Sequence, residues 1–268
     1  MSTVAISVLL VLVGAGVFAL VLLVRRLRPG LAEVDDGPAS AILSYVAAAF
    51  GILLGFVIVF LLGQAANARQ AIGDEATSIG TAFDEAQLFP EGEPAIQRAL
   101  ICYARAVTEK EWPALGEGRS APEADEAYRE LIAAYGGVQE STDGTFQPAA
   151  ATNSFVQIGG ISTARETRLV AAESTVRPLL WVLLFGSAVF VMALLFVVST
   201  TARPVAQALL MALAGVFTLV LLLLGVTLSH PFREGTNLLT PRLIEENTER
   251  MVALAPDALA EPCPFEEE

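Results

Sequence analysis

The residues able to do chemistry are few and widely separated. His230 is the only histidine. It leaves no imidazole for a Ser-His-Asp set with a partner to spare. Cys102 and Cys263 are the only cysteines and lack the paired spacing of a zinc site. A Gly-rich phosphate loop is absent. Acidic residues number 29, too many for a catalytic pair to stand out. The expectation is a protein that is not an enzyme and carries no cofactor or metal.

One constellation does stand out, and it suits passage rather than reaction. Phe56, Phe60, Gln64 and Asn67 recur at helical spacing, with rings first and amides after. If helices from several copies surrounded an axis, this stripe would form an apolar constriction with a polar mouth. These four are the candidate pore-lining residues. The alternative is a face packed against neighbouring helices.

The elements that must carry this stripe are membrane helices. Mean hydropathy is +0.59, high for a soluble chain, and the apolar residues fall in long charge-free runs. About 20 apolar residues span a bilayer core as a helix. Val4 to Val24 is such a run, stopped by Arg25, Arg26 and Arg28. It lacks the basic start of a cleaved leader and reads as an anchor. Ala41 to Gly63 is the second run, with Gly51 and Gly55 on one face. Leu179 to Ser199 and Val205 to Leu228 are the third and fourth, joined by Thr200 to Pro204 as a hairpin.

Between the second and third spans the periodicity stays helical. Ile72, Ala76, Ile79, Phe83 and Ala86 extend the second helix to about Phe89, with Asp74, Glu75, Asp84 and Glu85 between them. Pro90 ends it. Pro94 opens a further helix whose stripe is Ile96, Leu100, Tyr103 and Val107. Glu123 to Tyr135 is the next, with Ala127, Leu131 and Ala134 inward. Gly136 to Ala151 reads as a loop. Ile161 to Val176 is amphipathic and is expected to run straight into the third span, kinked at Pro178. A last helix covers Pro241 to about Leu254. The expected fold is an all-α polytopic membrane protein with four transmembrane helices and a helical soluble extension between helices 2 and 3. Its parts are 1–28, 41–63, 64–177, 178–228 and 229–268.

Charge is distributed one-sidedly. Gln64 to Arg177 holds 17 acidic and 9 basic residues, and Ser229 to Glu268 holds 9 and 3. With four spans, both segments lie on the same side of the membrane. Such a surface attracts cations or simply stays solvated, and it is a poor match for nucleic acid. The arginines of the two short loops, Arg25, Arg26, Arg28 and Arg203, favour those loops inside. The soluble region is therefore expected on the outer face of the cell membrane. Arg165, Arg168, Arg177 and Arg233 pull the other way. On an outer face Cys102 and Cys263 are a candidate disulfide; a buried free thiol at Cys102 is the alternative.

Several short stretches are similar to the bestrophin-like membrane family. They are Gly55 to Phe60, Ala66-Asn67-Ala68-Arg69, Leu88-Phe89-Pro90, Tyr103, Glu111-Trp112-Pro113, and Pro231-Phe232 with Gly235. The resemblance runs from about Ala41 to Met251. It implies a four-helix membrane domain with a helical extension. Bestrophins proper are pentameric chloride channels whose second helices line an apolar neck, so the resemblance makes Phe56 and Phe60 neck candidates and Gln64 a mouth residue. It also implies a cytoplasmic extension, against the charge pattern. The functional expectation is an oligomeric ion channel in the lipid bilayer, a homo-oligomer passing an inorganic ion of unknown kind, with cations better suited to the acidic face. The rival is a non-conducting scaffold or sensor whose acidic helical domain binds a partner or a divalent cation.

Overall fold

The computed structural model describes residues 3–27, 36–89, 92–141, 148–173, 176–201, 203–233 and 238–266. All the regular structure among them is helical. The helices are α1 (Thr3–Leu27), α2 (Asp36–Glu85), α3 (Glu93–Ala106), α4 (Trp112–Leu115), α5 (Pro122–Ser141), α6 (Pro148–Glu173), α7 (Pro178–Val198), α8 (Pro204–Leu228) and α9 (Arg242–Leu254). Four helical stretches are long and apolar enough to cross a membrane: Ser7–Leu27, Gly37–Leu88, Pro178–Val198 and Pro204–Leu228. The chain is a multi-pass membrane protein.

It divides into two compact units. The first holds Met1–Gly63 and Thr175–Ser229. In it α1 packs along α8, where small residues let the helices close up. A Cβ on Gly14 would lie 3.1 Å from Val216, and one on Gly215 3.5 Å from both Val17 and Met192. Val21, Ala208 and Met211 form the buried seam. Gln207, fully buried near the start of α8, donates to the Phe196 carbonyl at 2.9 Å and to Ser199 Oγ at 3.1 Å. Those bonds tie the end of α7 to the start of α8.

The second unit holds Gln64–Ser174 and His230–Glu268. Its core gathers the inward stripes of α2, α3, α5, α6 and α9: Ile79, Phe83, Leu100, Leu131, Ile161 and Ile244 are at most 1% exposed. The stripes expected on α2 and α3 are all buried, from Ile72 to Ala86 and from Ile96 to Val107.

Two expectations are corrected. Gly136 to Ala151 is not a loop throughout, because α5 runs on to Ser141 and α6 starts at Pro148. Gly136 and Gly137 cost helix propensity, but a helix already docked through Leu131 tolerates them. Residues 142–147 lie outside the described set, as do Arg28, Pro90 and Gly235. The helix before the third span also does not run through Pro178. α6 stops at Glu173, Arg177 is extended (φ −51°, ψ 136°), and Pro178 sits in the first turn of α7. A residue before proline is driven out of the helical region, and proline itself fits the first turn, where no N–H is needed.

Candidate functional site

On α2 the candidate pore-lining rings are uncovered within the chain. Phe56 is 71% exposed and Phe60 59%. Leu54, Val57 and Leu61, on an adjacent strip of the same helix, are buried. Gln64 is half-buried and Asn67 exposed. Asn67 lines a polar groove between α2 and α6. Packing within the chain therefore uses Leu54, Val57 and Leu61 and leaves the aromatic rings exposed.

A second constellation lies inside the helical unit. Glu75 on α2, Tyr103 on α3, Glu111 before α4, and Arg165 and Arg168 on α6 converge in its interior. Glu75, Tyr103, Glu111 and Arg168 are fully buried, and Arg165 nearly so. Arg168 donates from Nε to Glu75 Oε2 at 2.9 Å and from Nη2 to Glu75 Oε1 at 3.0 Å. The same Nη2 reaches Glu111 Oε2 at 2.7 Å. Arg165 donates to Glu111 Oε1 from Nε at 3.1 Å and from Nη2 at 2.5 Å, and also to Asp125 at 2.6 Å. The Tyr103 hydroxyl donates to Glu75 Oε1 at 2.6 Å. Two buried carboxylates thus meet two guanidinium groups, and Asp125 caps the set from the surface.

Local geometry aims Glu111 inward. Val107–Glu111 is a turn of π-helix inserted between α3 and α4. The wider turn brings both Val107 and Glu111 to the buried side. Trp112 follows and stacks edge-on against Phe232. The Glu-Trp-Pro and Pro-Phe elements therefore meet in space.

The electrostatics favour a fixed set of charges. Burial alone would discharge Arg165 and Arg168, but the adjacent carboxylates outweigh it and hold both pKa values above the ordinary arginine range. Burial, then the charge of Glu75, pushes the Tyr103 phenol well above its usual value, so it stays a donor. Glu75, Tyr103, Glu111 and Arg168 are closed off from solvent. The network joins four helical elements and the π-turn.

The structure also changes the meaning of Arg165 and Arg168. In the sequence they count as charges near the membrane; here they are neutralised inside the helical unit. A signal was present. Ile161, Arg165 and Arg168 share the inward face of α6, and Glu75 sits between Ile72 and Ile79 on that of α2. Charges placed on an apolar stripe point to buried partners.

Cys102 and Cys263 lie with their Sγ atoms bonded and their Cα atoms 5.5 Å apart. The tail beside them is also held by Arg98 donating to the Pro262 carbonyl at 2.7 Å and by Arg105 against Glu266 at 2.5 Å.

Comparison with solved structures finds the same fold. A bacterial Bestrophin homolog from Klebsiella pneumoniae, in two single-substitution forms, aligns at TM-scores of 0.74 and 0.76. Identities are 13% and 12%, covering 96% and 93% of this chain and 99% and 98% of the other. A structure described as a membrane protein aligns at 0.74, with 13% identity over 93% of this chain and 98% of its own. No curated protein matches the chain. The Bestrophin-like domain profile matches residues 10–238, and the chain belongs to the Bestrophin-like family.

Proposed function

We propose that this chain is the subunit of a homo-oligomeric ion channel whose path is lined by α2. Phe56 and Phe60 form the apolar neck, with Gln64 and Asn67 at its mouth. One observation carries this: two large rings on a membrane helix are more than half exposed within the chain, while Leu54, Val57 and Leu61 on an adjacent strip pack. Rings left free in this way are available to face an axis shared by several copies. Family membership supports the same reading. The acidic balance of the helical unit favours cations over anions.

The helical unit is placed on the outer face in this proposal. Burial of Arg165 and Arg168 removes two of the four arginines that argued against it. Bonding geometry between Cys102 and Cys263 suits an oxidising side. Labelling in intact cells with an impermeant thiol reagent after reduction tests this; labelling only after lysis reverses the placement.

Flux into proteoliposomes, comparing potassium with chloride, tests conduction. Phe60→Ala is expected to raise basal flux while leaving the melting point near that of the parent, because the ring packs little within the chain. A monomer in detergent, or absence of flux with folded protein in both orientations, would favour the non-conducting scaffold or sensor.

A further inference from the structure

The groove between α2 and α6 in the helical unit has no assigned role. It is open to solvent and has a volume of about 490 Å³. Its polar lining is Asn67, Gln70, Asp74 and Ser78 from α2, and Thr163 and Thr167 from α6. Glycines shape it. A Cβ on Gly160 would lie 2.6 Å from Ser78 Oγ, so glycine lets the helices approach there, while the Cβ position of Gly159 is open.

Three properties define what would fit. First, Asp74 is the only charged residue in the lining, and no basic side chain stands among the described lining residues. Second, the side chains of Asn67, Gln70, Asp74 and Ser78 make no hydrogen bond or ion pair within the described residues. Their polar atoms are available to a ligand. Third, the volume lies within the range of about 300–1,000 Å³ typical of small-molecule sites and far exceeds a bare metal ion. Among the described residues no group of three His, Cys, Asp or Glu side chains could hold a metal. A lone carboxylate is also a poor cage for a hard cation, which takes about six to eight oxygen ligands.

We propose that this groove binds a small organic cation, a primary ammonium on a hydroxylated or otherwise hydrogen-bonding frame. The ammonium pairs with Asp74, a charge-assisted contact. The amide of Gln70 and the hydroxyls of Ser78 and Thr163 bind the frame. Thr167 donates its own hydroxyl to the Thr163 carbonyl at 2.8 Å, which leaves its oxygen as an acceptor towards the groove.

Isothermal titration of the full chain in detergent, in an amine-free buffer, tests the site without relying on conduction. The probes are ethanolamine, putrescine and glucosamine, with glucose, sodium chloride and calcium chloride as controls. The amines should bind and glucose should not. Asp74→Asn should weaken amine binding by about tenfold or more, the loss expected for a charge-assisted contact. Its melting point should not move, since the parent carboxylate has no partner. Gly159→Leu, placed where a side chain has room, should fill the groove and abolish binding. Three results would overturn the proposal: no binding by any amine at tens of millimolar, undiminished binding by Asp74→Asn, or displacement of the amines by calcium alone at stoichiometric levels.

Discussion

Trp112 and Phe232 meet with ring centroids 5.5 Å apart and planes at 72°, bringing together two sequence elements more than a hundred residues apart. Gly116 lets the chain close around them: a Cβ there would sit 3.2 Å from the Pro113 carbonyl and 3.4 Å from that of Phe232. Phe232 is only 4% exposed. Phe232→Ala should therefore cost about 3–5 kcal/mol of stability. Combined with Trp112→Ala, it should reveal a coupling of about 0.5–1.5 kcal/mol for the edge-on contact. A double-mutant cycle by denaturant unfolding of the detergent-solubilised protein measures both; strictly additive losses would mean the rings do not act as a pair.

Arg168 is the hinge of the buried charge network, holding both Glu75 and Glu111. Replacing it with Leu leaves Glu75 without a cation and Glu111 with Arg165 alone, and should cost about 3–5 kcal/mol. Arg168→Lys should also destabilise, because an ammonium cannot reproduce the paired contact with Glu75. Replacing Asp125, whose side chain is 51% exposed, should cost about 1 kcal/mol or less. Melting points of the three variants give the order directly; an Asp125 variant as damaged as the Arg168 variants would contradict it.

Alkaline pH should weaken the helical unit through Tyr103. Its folded pKa is raised above the ordinary 10.0, first by burial and then by Glu75. The unfolded phenol therefore loses its proton first. Stability is full below about pH 10 and falls as pH rises towards the folded value. Tyr103→Phe should flatten that part of the melting-point profile. Tyr135, also raised by burial, would keep a residual slope, so the measurement is the difference between parent and variant across pH 9 to 11.

The bond between Cys102 and Cys263 spans 161 residues of sequence. Closing so long a segment should stabilise the fold by about 2–5 kcal/mol. Cys263→Ser should lower the melting point, and a reducing agent should lower that of the parent but not of the variant. Arg98 and Arg105 still hold the tail, so limited proteolysis near Pro262 should rise without the whole unit becoming sensitive.

Much of this protein was legible in its residues alone. Four membrane spans follow from uninterrupted apolar runs, because lipid demands that each crossing satisfy its own backbone. The inward stripes of α2 and α3 follow from helical periodicity, since each lies on one contiguous segment. Pro178 was misread because proline at the first turn and proline within a helix have the same local signature. The choice depends on whether the preceding chain is helical, and Arg177 is not. The extent of α5 and α6 was hidden by glycine and polar residues whose weak propensity was overridden by docking. Pairing was beyond local pattern altogether. Glu75, Arg165 and Arg168 stand on apolar stripes, but which charge meets which, and the part of Glu111, is decided only where α2, α3 and α6 converge into a neutral buried set. Trp112 meeting Phe232 and Cys102 meeting Cys263 are likewise decided by tertiary structure, because contacts across such distances depend on how several helices pack together.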